Sequence, residues 1–304
     1  MQYEYSALPD REHIKWPGGK QLAVIITINL EYWWLTREQK EPLYPGGPAS
    51  IPFPLPGDIP DYVNWTWREY GQRVGVWRVF KALDSAGIPA SCTMNAMMGL
   101  ERRRVIDAVN ERGWELVPHN WAQNDILTNY AHDPQQERDV ICRVLDVYEK
   151  IVGRPARGWL SSSLRPTAET VNILAENGLS FFCDFLNDDQ PYLLRTRSTP
   201  LVAIPYSNDI NDFNMFARGG MTLDQGLLAL KEQFEVLYEE GRESMRLFNF
   251  GLHPHVIGQP YRIRALAQFL EYIKDFEGVW FPKREQIADW YLENHASHIR
   301  PPDN

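Results

Sequence analysis

The first long apolar segment of the chain predicts a buried strand that ends in polar residues. Residues 22–28, LAVIITI, have the length and β-branched content of a strand that is buried on both faces. Asn29 and Glu31 follow two residues apart, so the strand would point both side chains to the same face at its C-terminal end. Ligands bind at that end of the sheet in parallel α/β folds. Glu31 is therefore either a solvent-facing residue or part of a site.

Short apolar segments and amphipathic segments alternate along the rest of the chain. The pattern predicts strands at 90–95, 115–118, 158–161, 179–184, 201–204, 245–252 and 279–281. It predicts helices at 74–86, 99–112, 134–152, 167–177, 222–241, 260–274 and 284–294. This alternation predicts one α/β domain whose parallel sheet closes into a barrel. An open doubly wound sheet is the alternative, but it normally has a Gly-rich loop after the first strand, and Asn29–Trp33 is not one.

Two segments depart from the alternation. Residues 35–68 form a long Pro- and Trp-rich insertion, which we expect to be irregular, and residues 296–304 form a tail. A loop of this length is usually functional or forms an interaction surface, and interfaces favour aromatic residues. The insertion therefore predicts a homo-oligomer.

Composition limits the partners and the location. The 304-residue chain has a net charge of −9, which argues against nucleic acid or an anionic membrane as the main partner. No apolar run approaches the ~20 residues that span a bilayer, and the N-terminus lacks the features of a signal peptide. Cys92, Cys142 and Cys183 are widely spaced, which is typical of buried thiols in a reducing compartment. We therefore expect a cytoplasmic protein that acts on a small molecule.

Polar side chains follow most of the predicted strands. Beyond Asn29 and Glu31 they are Asn95, His119, Gln123, Asp125, Ser161, Ser162, Ser163, Asp184, Asp188, Asp189, His253 and His255. Each histidine alone is more often a structural residue than a catalytic one. Their joint placement opposite a strand-end carboxylate favours an acid/base or metal site.

The spacing of these residues is a weak metal motif. His119 and Gln123 are four residues apart, the spacing of a chelating histidine pair, but an amide oxygen is a weak donor. A zinc site normally has three good protein ligands. Glu31 and His119 provide two, and Asp125 or His253 would have to be the third. We expect no cofactor, with one divalent metal such as Zn²⁺ at Glu31 and His119 as the weaker alternative.

Several longer motifs resemble the polysaccharide deacetylase (NodB-like) superfamily, and the resemblance covers about residues 15–295. The motifs are EYGQRVGVWRV (69–79), WELVPHNWAQND (114–125), GWLSSSLRPTAET (158–170), LVAIPYSNDINDF (201–213) and GLHPHVIGQPYRIRALAQFLEYI (251–273). The resemblance implies a distorted (β/α)₇ barrel. Asn29 and Gln123 stand where metal-dependent members have an aspartate and a histidine. These replacements resemble the branch of metal-independent allantoinases and cyclic-imide hydrolases, and that branch implies a homotetramer.

The leading hypothesis is hydrolysis of a non-peptide amide bond in a small cyclic amide, imide or ureide. Such an enzyme must activate water, hold an oxyanion and protonate the leaving nitrogen. The candidate base is Glu31, His119 orients water or polarises the carbonyl, and His253 is the candidate acid. Two alternatives stay open: a metal-dependent deacetylase of N-acetylated sugars, and an inactive binding protein on the same fold.

The remaining site residues are predicted to bind the substrate. Polar donors are expected from Asn29, Gln123, Ser162 and Ser163, and aromatic walls from Tyr32, Trp33, Trp121 and Trp159. Because aromatic residues follow Glu31 directly and exclude water, we expect burial to raise the pKa of Glu31 above its ordinary value.

Overall fold

The strand that begins at Leu22 is the centre of the larger of two sheets. In this computed structural model, which describes residues 2–35, 50 and 59–299, β1 (Leu22–Leu30) is buried along its whole length. It pairs in parallel with β2 (Ser91–Met94) and with β8 (Arg246–Leu252). The sheet continues from β2 to β3 (Glu115–Pro118), and β9 (Val279–Trp280) pairs with the first residues of β1.

The second sheet is smaller and has the order β4-β5-β7-β6. Its parallel strands are β4 (Gly158–Trp159), β5 (Phe181–Phe182) and β7 (Leu201–Ala203), and the antiparallel edge strand is β6 (Tyr192–Leu194). Backbone contacts connect the segments that follow β4 and β7 to the larger sheet. The amide of Leu160 donates to the carbonyl of Pro118 (3.2 Å), and Asn211 forms a parallel bridge with Gly251. The predicted α/β fold with a parallel sheet is confirmed, and its two joined sheets are compatible with a distorted barrel.

The helices agree with the predicted alternation, apart from three segments. They are α1 (Tyr62–Tyr70), α2 (Val76–Ala86), α3 (Ala96–Glu101), α4 (Arg103–Glu111), α5 (Pro134–Val152), α6 (Thr170–Glu176), α7 (Leu223–Glu240), α8 (Ile263–Ile273) and α9 (Arg284–Asn294). The sequence pattern missed α1 and two π-helical segments, Gly71–Gly75 and Phe213–Arg218. The expectation of an irregular insertion is therefore wrong for residues 62–68, where Asp61 caps α1 by accepting from the amide of Asn64. Residues 36–49 and 51–58 of the insertion, and 300–304 of the tail, lie outside the described residues.

Side-chain alternation along β1 places the polar end of the strand inside the fold. Val24 and Ile26 pack in the cluster that contains residues of α2 and α8, on the outer face of the sheet. Ala23 and Ile25 pack in a different cluster with residues of β3, β7 and β8. Asn29 and Glu31 lie four and six residues after Ile25, and every second residue of a strand points to the same face. Their side chains therefore continue this inner face.

Two further expectations concern the thiols and the membrane. All three cysteines are free; Cys92 and Cys183 are buried and Cys142 is half-buried. Among the described residues, no helix has both the length and the apolar character needed to cross a membrane.

Candidate active site

A cavity of about 390 Å³ opens where the central strands end. The sequence-predicted residues that line it are Asn29, Glu31, Trp33, His119, Gln123, Ser161, Ser163 and His253. Asn29 is held in place, since its amide donates to the hydroxyl of Tyr206 (3.2 Å) and to the carbonyl of Leu252 (3.3 Å). The structure thus brings together side chains from strand ends that are far apart in the sequence.

Glu31, His253 and Asp212 form a continuous chain of ionisable groups. His253 Nε2 lies 3.4 Å from Glu31 Oε1, and His253 Nδ1 lies 2.7 Å from Asp212 Oδ1. The other carboxylate oxygen of Asp212 accepts from the backbone amides of His253 (2.7 Å) and Ile257 (3.1 Å). Asp212 therefore fixes both the ring and the backbone of His253, while Trp33 Nε1 donates to Glu31 Oε2 (3.3 Å).

The neighbouring charges shift the pKa of Glu31 in the direction opposite to the expected one. Burial alone would raise the pKa of Glu31, but the charge of His253 and its hydrogen bond, with smaller effects of His255 and His119, lower it to about 2. Burial alone would lower the pKa of His253, but Glu31 and Asp212 on its two sides raise it to about 10. The expectation that burial would dominate at Glu31 is wrong because His253 lies beside its carboxylate. At neutral pH, Glu31 is ionised and His253 is protonated.

His119 is the neutral histidine of the site. Its Nδ1 lies 2.5 Å from the carbonyl of Leu160, so this nitrogen carries the proton and Nε2 keeps its lone pair. Burial lowers the pKa of His119 to about 4 against the opposing effect of Glu31. His119 Nε2 and Gln123 Oε1 are both buried without a hydrogen-bond partner in the described part of the protein. Two acceptors are therefore available to a water molecule or a substrate.

Four of the predicted substrate-binding residues lie outside the lining of the cavity. Tyr32 points away from it and lies under the guanidinium of Arg102 (5.1 Å). Because side chains alternate between the two faces of an extended segment, Tyr32 points to the face opposite to Glu31 and Trp33. Trp159 is fully buried against α5 and α6, again on the outer face. Trp121 stacks under Arg143 (3.7 Å) at the edge of that same cluster.

Ser162 is the fourth predicted residue outside the lining, and its contacts position the neighbouring loops. It is fully buried, its hydroxyl donates to the carbonyl of His119 (3.1 Å), and its amide donates to Asn120 Oδ1 (3.1 Å). Asn95 joins the same network, because its amide group donates to Ser162 Oγ (3.2 Å) and its Oδ1 accepts from the amide of Tyr32 (2.8 Å). These contacts fix the loops that carry Glu31 and His119.

The other polar residues at strand ends do not line the cavity and are held by contacts of their own. Asp125 accepts from Tyr130 (2.6 Å), Asp188 is paired with Arg11 (2.7 Å), and Asp184 accepts from the amide of Ser161 (2.7 Å). His255 is buried edge-on against Trp67, with 4.6 Å between the ring centroids.

Sequence reasoning missed the residues supplied by the segment after β7. They are Tyr206, Asn208, Asn211, Phe213, Asn214 and Arg218 in the lining, and Asp212 behind His253. The sequence-based prediction selected polar residues that directly follow a predicted strand. No strand directly precedes Asp212, so it was not selected. The motif LVAIPYSNDINDF (201–213) contains all of them except Asn214 and Arg218, and it was the available signal.

Backbone strain is concentrated around the same cavity. The non-glycine residues with positive φ in the described chain are Asn120 (56°), Ser163 (60°) and Leu164 (52°). All three lie in loops that follow strands, and Ser163 and Leu164 line the cavity. Conformations of this kind persist where the surrounding structure enforces them, which is typical of functional sites.

The donor set does not fit a resident metal ion. Within the described ranges, no three histidine, cysteine or acidic side chains form a group that could hold one. Glu31 and His119 provide two donors. Both ring nitrogens of His253 make contacts with carboxylates, Nε2 with Glu31 and Nδ1 with Asp212, and Asp125 is bonded to Tyr130, so neither provides the third.

Comparison with known proteins finds relatives and solved structures that are similar to most of the chain. The chain is 27% identical over 303 residues to a putative polysaccharide deacetylase of Schizosaccharomyces pombe, covering 92% of this chain and 93% of that protein. A probable polysaccharide deacetylase of Pseudomonas aeruginosa PAO1 has a similar structure, with a TM-score of 0.81 at 28% identity over 93% of this chain and 95% of that one. The relatives and the solved structures support the polysaccharide deacetylase superfamily. No family model matches the chain.

A second solved structure is named for a different activity. PuuE allantoinase has a TM-score of 0.82 and 29% identity, over 93% of this chain and 94% of that one. These two structural neighbours are similar to the chain to nearly the same degree.

Proposed function

We propose that the protein hydrolyses a carbon–nitrogen amide bond in a small cyclic amide, imide or ureide. The observation that carries the proposal is the ion-paired chain Asp212–His253–Glu31, which faces neutral His119 across one cavity. It provides an ionised acceptor and a protonated donor side by side. The similarity to PuuE allantoinase supports a cyclic ureide as the substrate class.

Glu31 is the proposed base. It takes a proton from a water molecule as the oxygen attacks the carbonyl carbon, and His119 Nε2 accepts the second hydrogen of that water and so orients it. The positive charge of His253 stabilises the oxyanion that forms. With a pKa of about 2, the carboxylate of Glu31 is a weak base. This weakness lasts only while His253 stays charged, because the charge of His253 lowers the pKa of Glu31.

His253 is the proposed acid. It gives its Nε2 proton to the ring nitrogen as the carbon–nitrogen bond breaks, and its charge disappears. Since that charge is what lowers the pKa of Glu31, the loss makes protonated Glu31 more stable, so the two proton transfers favour each other. Afterwards Glu31 returns its proton to His253, 3.4 Å away, and the acid product releases one proton to solvent.

The size of the cavity favours a small substrate. A volume of about 390 Å³ lies in the range of pockets that enclose a single small molecule. The second candidate is deacetylation of an N-acetylated sugar, which the names of two similar proteins favour. We also propose that the reaction needs no resident metal, because the third strong donor is missing among the described residues.

Turnover against a panel of substrates tests the proposal. The panel consists of allantoin, hydantoin, succinimide, dihydrouracil and N,N′-diacetylchitobiose, each measured with and without EDTA. We expect ring opening of at least one cyclic compound, unchanged by EDTA, and slower or no release of acetate. Faster deacetylation, or activity that EDTA removes and zinc restores, would contradict the proposal.

A further inference from the structure

Two arginines give the cavity a charge that contrasts with the rest of the protein. Arg165 and Arg218 both line it, and Glu31 is the only acidic side chain among the described residues that do. Glu31 is already paired with protonated His253, so its charge is locally balanced. The lining therefore has an excess of positive charge in a chain whose net charge is −9.

Each arginine is brought to the cavity by an unusual local conformation. Arg165 follows Ser163 and Leu164, two consecutive residues with positive φ. It is exposed and has no ion-pair partner in the part of the chain that the structure describes. Arg218 ends the π-helical segment that begins directly after Asp212, and its guanidinium lies 5.8 Å from the ring centre of Phe213. The π-helical segment thus begins directly after Asp212, the partner of His253, and ends at Arg218 in the cavity lining.

We propose that Arg165 and Arg218 recognise a carboxylate carried by the substrate, at a distance from the bond that is cleaved. This inference rests on the proposed function and names its substrate class as an anionic cyclic amide or ureide. Both arginines are exposed while Glu31 is buried, so the carboxylate binds near solvent and the reacting amide lies deeper. Guanidinium groups suit this role because they donate two parallel hydrogen bonds to a carboxylate.

The carboxylate formed by ring opening does not account for the two arginines. It arises at the carbon that water attacks, beside Glu31 and His119, and not near the exposed side chains. A second carboxylate, attached to the ring of the substrate, matches their position.

A matched pair of ligands tests the inference separately from turnover. Hydantoin-5-acetate and hydantoin-5-acetamide have nearly the same shape and differ by one negative charge. Calorimetry with the wild-type protein gives a Kd for each, and the same titrations use Arg165→Gln, Arg218→Gln and the double variant. Arg264→Gln is the control, since Arg264 is exposed on α8 and is absent from the lining.

We expect the wild-type protein to bind the acetate about tenfold more tightly than the acetamide, because charge-assisted hydrogen bonds contribute about that much. The preference falls in each single variant, disappears in the double variant and persists in Arg264→Gln. Equal Kd values in the wild-type protein, a preference that survives the double substitution, or no binding of the acetate at millimolar concentration would overturn the inference. The proposed function is tested by ring opening alone. A protein that opens rings but binds the acetate and the acetamide equally well would therefore contradict only this inference.

Discussion

At the scale of single residues, the site depends on two imidazoles in opposite protonation states. His253 is protonated because a carboxylate lies on each side of it, whereas His119 is neutral because burial outweighs the opposing effects of Glu31 and of the hydrogen bond to the carbonyl of Leu160. An acid and an acceptor are therefore present together at neutral pH. This difference arises from neighbours that come from other strands, not from the residues next to each histidine.

The pH dependence of kcat/KM follows from these two groups. Activity is lost as pH falls through about 4, where His119 becomes protonated, and as pH rises through about 10, where His253 loses its proton. Asp212 raises the pKa of His253, so Asp212→Asn should move the alkaline limb to lower pH and reduce kcat at least about tenfold.

Asp209→Asn is the matched control for this measurement. Asp209 is exposed three residues earlier in the same segment and does not contact His253. Its pH profile should match that of the wild-type protein. An alkaline limb that does not move in Asp212→Asn would contradict the assignment of His253 as the acid.

At the scale of elements, the π-helical segment Gly71–Gly75 sets the distance between base and acid. On one side Gln72 Nε2 donates to the carbonyl of Glu31 (2.5 Å). On the other side Gly75 packs directly against Pro254 and Gly258, in the loop that begins with His253. Because a Cβ at Gly75 would overlap the carbonyl oxygen of Pro254, only glycine allows this approach.

Gly75→Ala should therefore affect both stability and activity. We expect the free energy of unfolding in urea to fall by about 1–3 kcal/mol, the usual cost of overpacking, and kcat to fall because Pro254 must move. Val74→Ala, one residue away and exposed, should change neither quantity appreciably. A Gly75→Ala protein with wild-type stability would show that this contact does not fix the loop.

Sequence patterns predicted regular elements well and irregular ones poorly. Glu31 and His253 directly follow strands with long apolar sequences, so the search for polar residues after predicted strands located them. Tyr32 was placed wrongly because the side-chain alternation of the strand was not extended past Glu31. Asp212 was missed because it begins a π-helical segment, which has no distinctive hydrophobic period. The pKa of Glu31 was predicted in the wrong direction, since the sequence does not show which charges lie beside it.

At the scale of the whole molecule, the start of α1 carries exposed apolar surface. Ile59, Tyr62 and Val63 are 52%, 57% and 53% exposed and belong to the Pro- and Trp-rich insertion. Exposed apolar and aromatic residues of this kind favour contact with another chain. The proposal of a homotetramer that uses this region is therefore retained.

Light scattering tests the assembly. We expect a mass of about four chains of 35.3 kDa, and a smaller species when Tyr62 and Val63 are both replaced by glutamate. Leu228→Glu, a substitution of an exposed residue on α7, is the control that should leave the mass unchanged. A monodisperse monomer at micromolar concentration would refute the proposal.

The most direct test of the proposed mechanism is the turnover of Glu31→Gln at saturating substrate. The substitution keeps the shape of the side chain and removes the negative charge that accepts the proton of water. We expect kcat to fall at least about 10²-fold while the protein stays folded by circular dichroism and still binds the cyclic substrate. A variant that keeps most of the wild-type kcat would show that Glu31 is not the base and would contradict the mechanism.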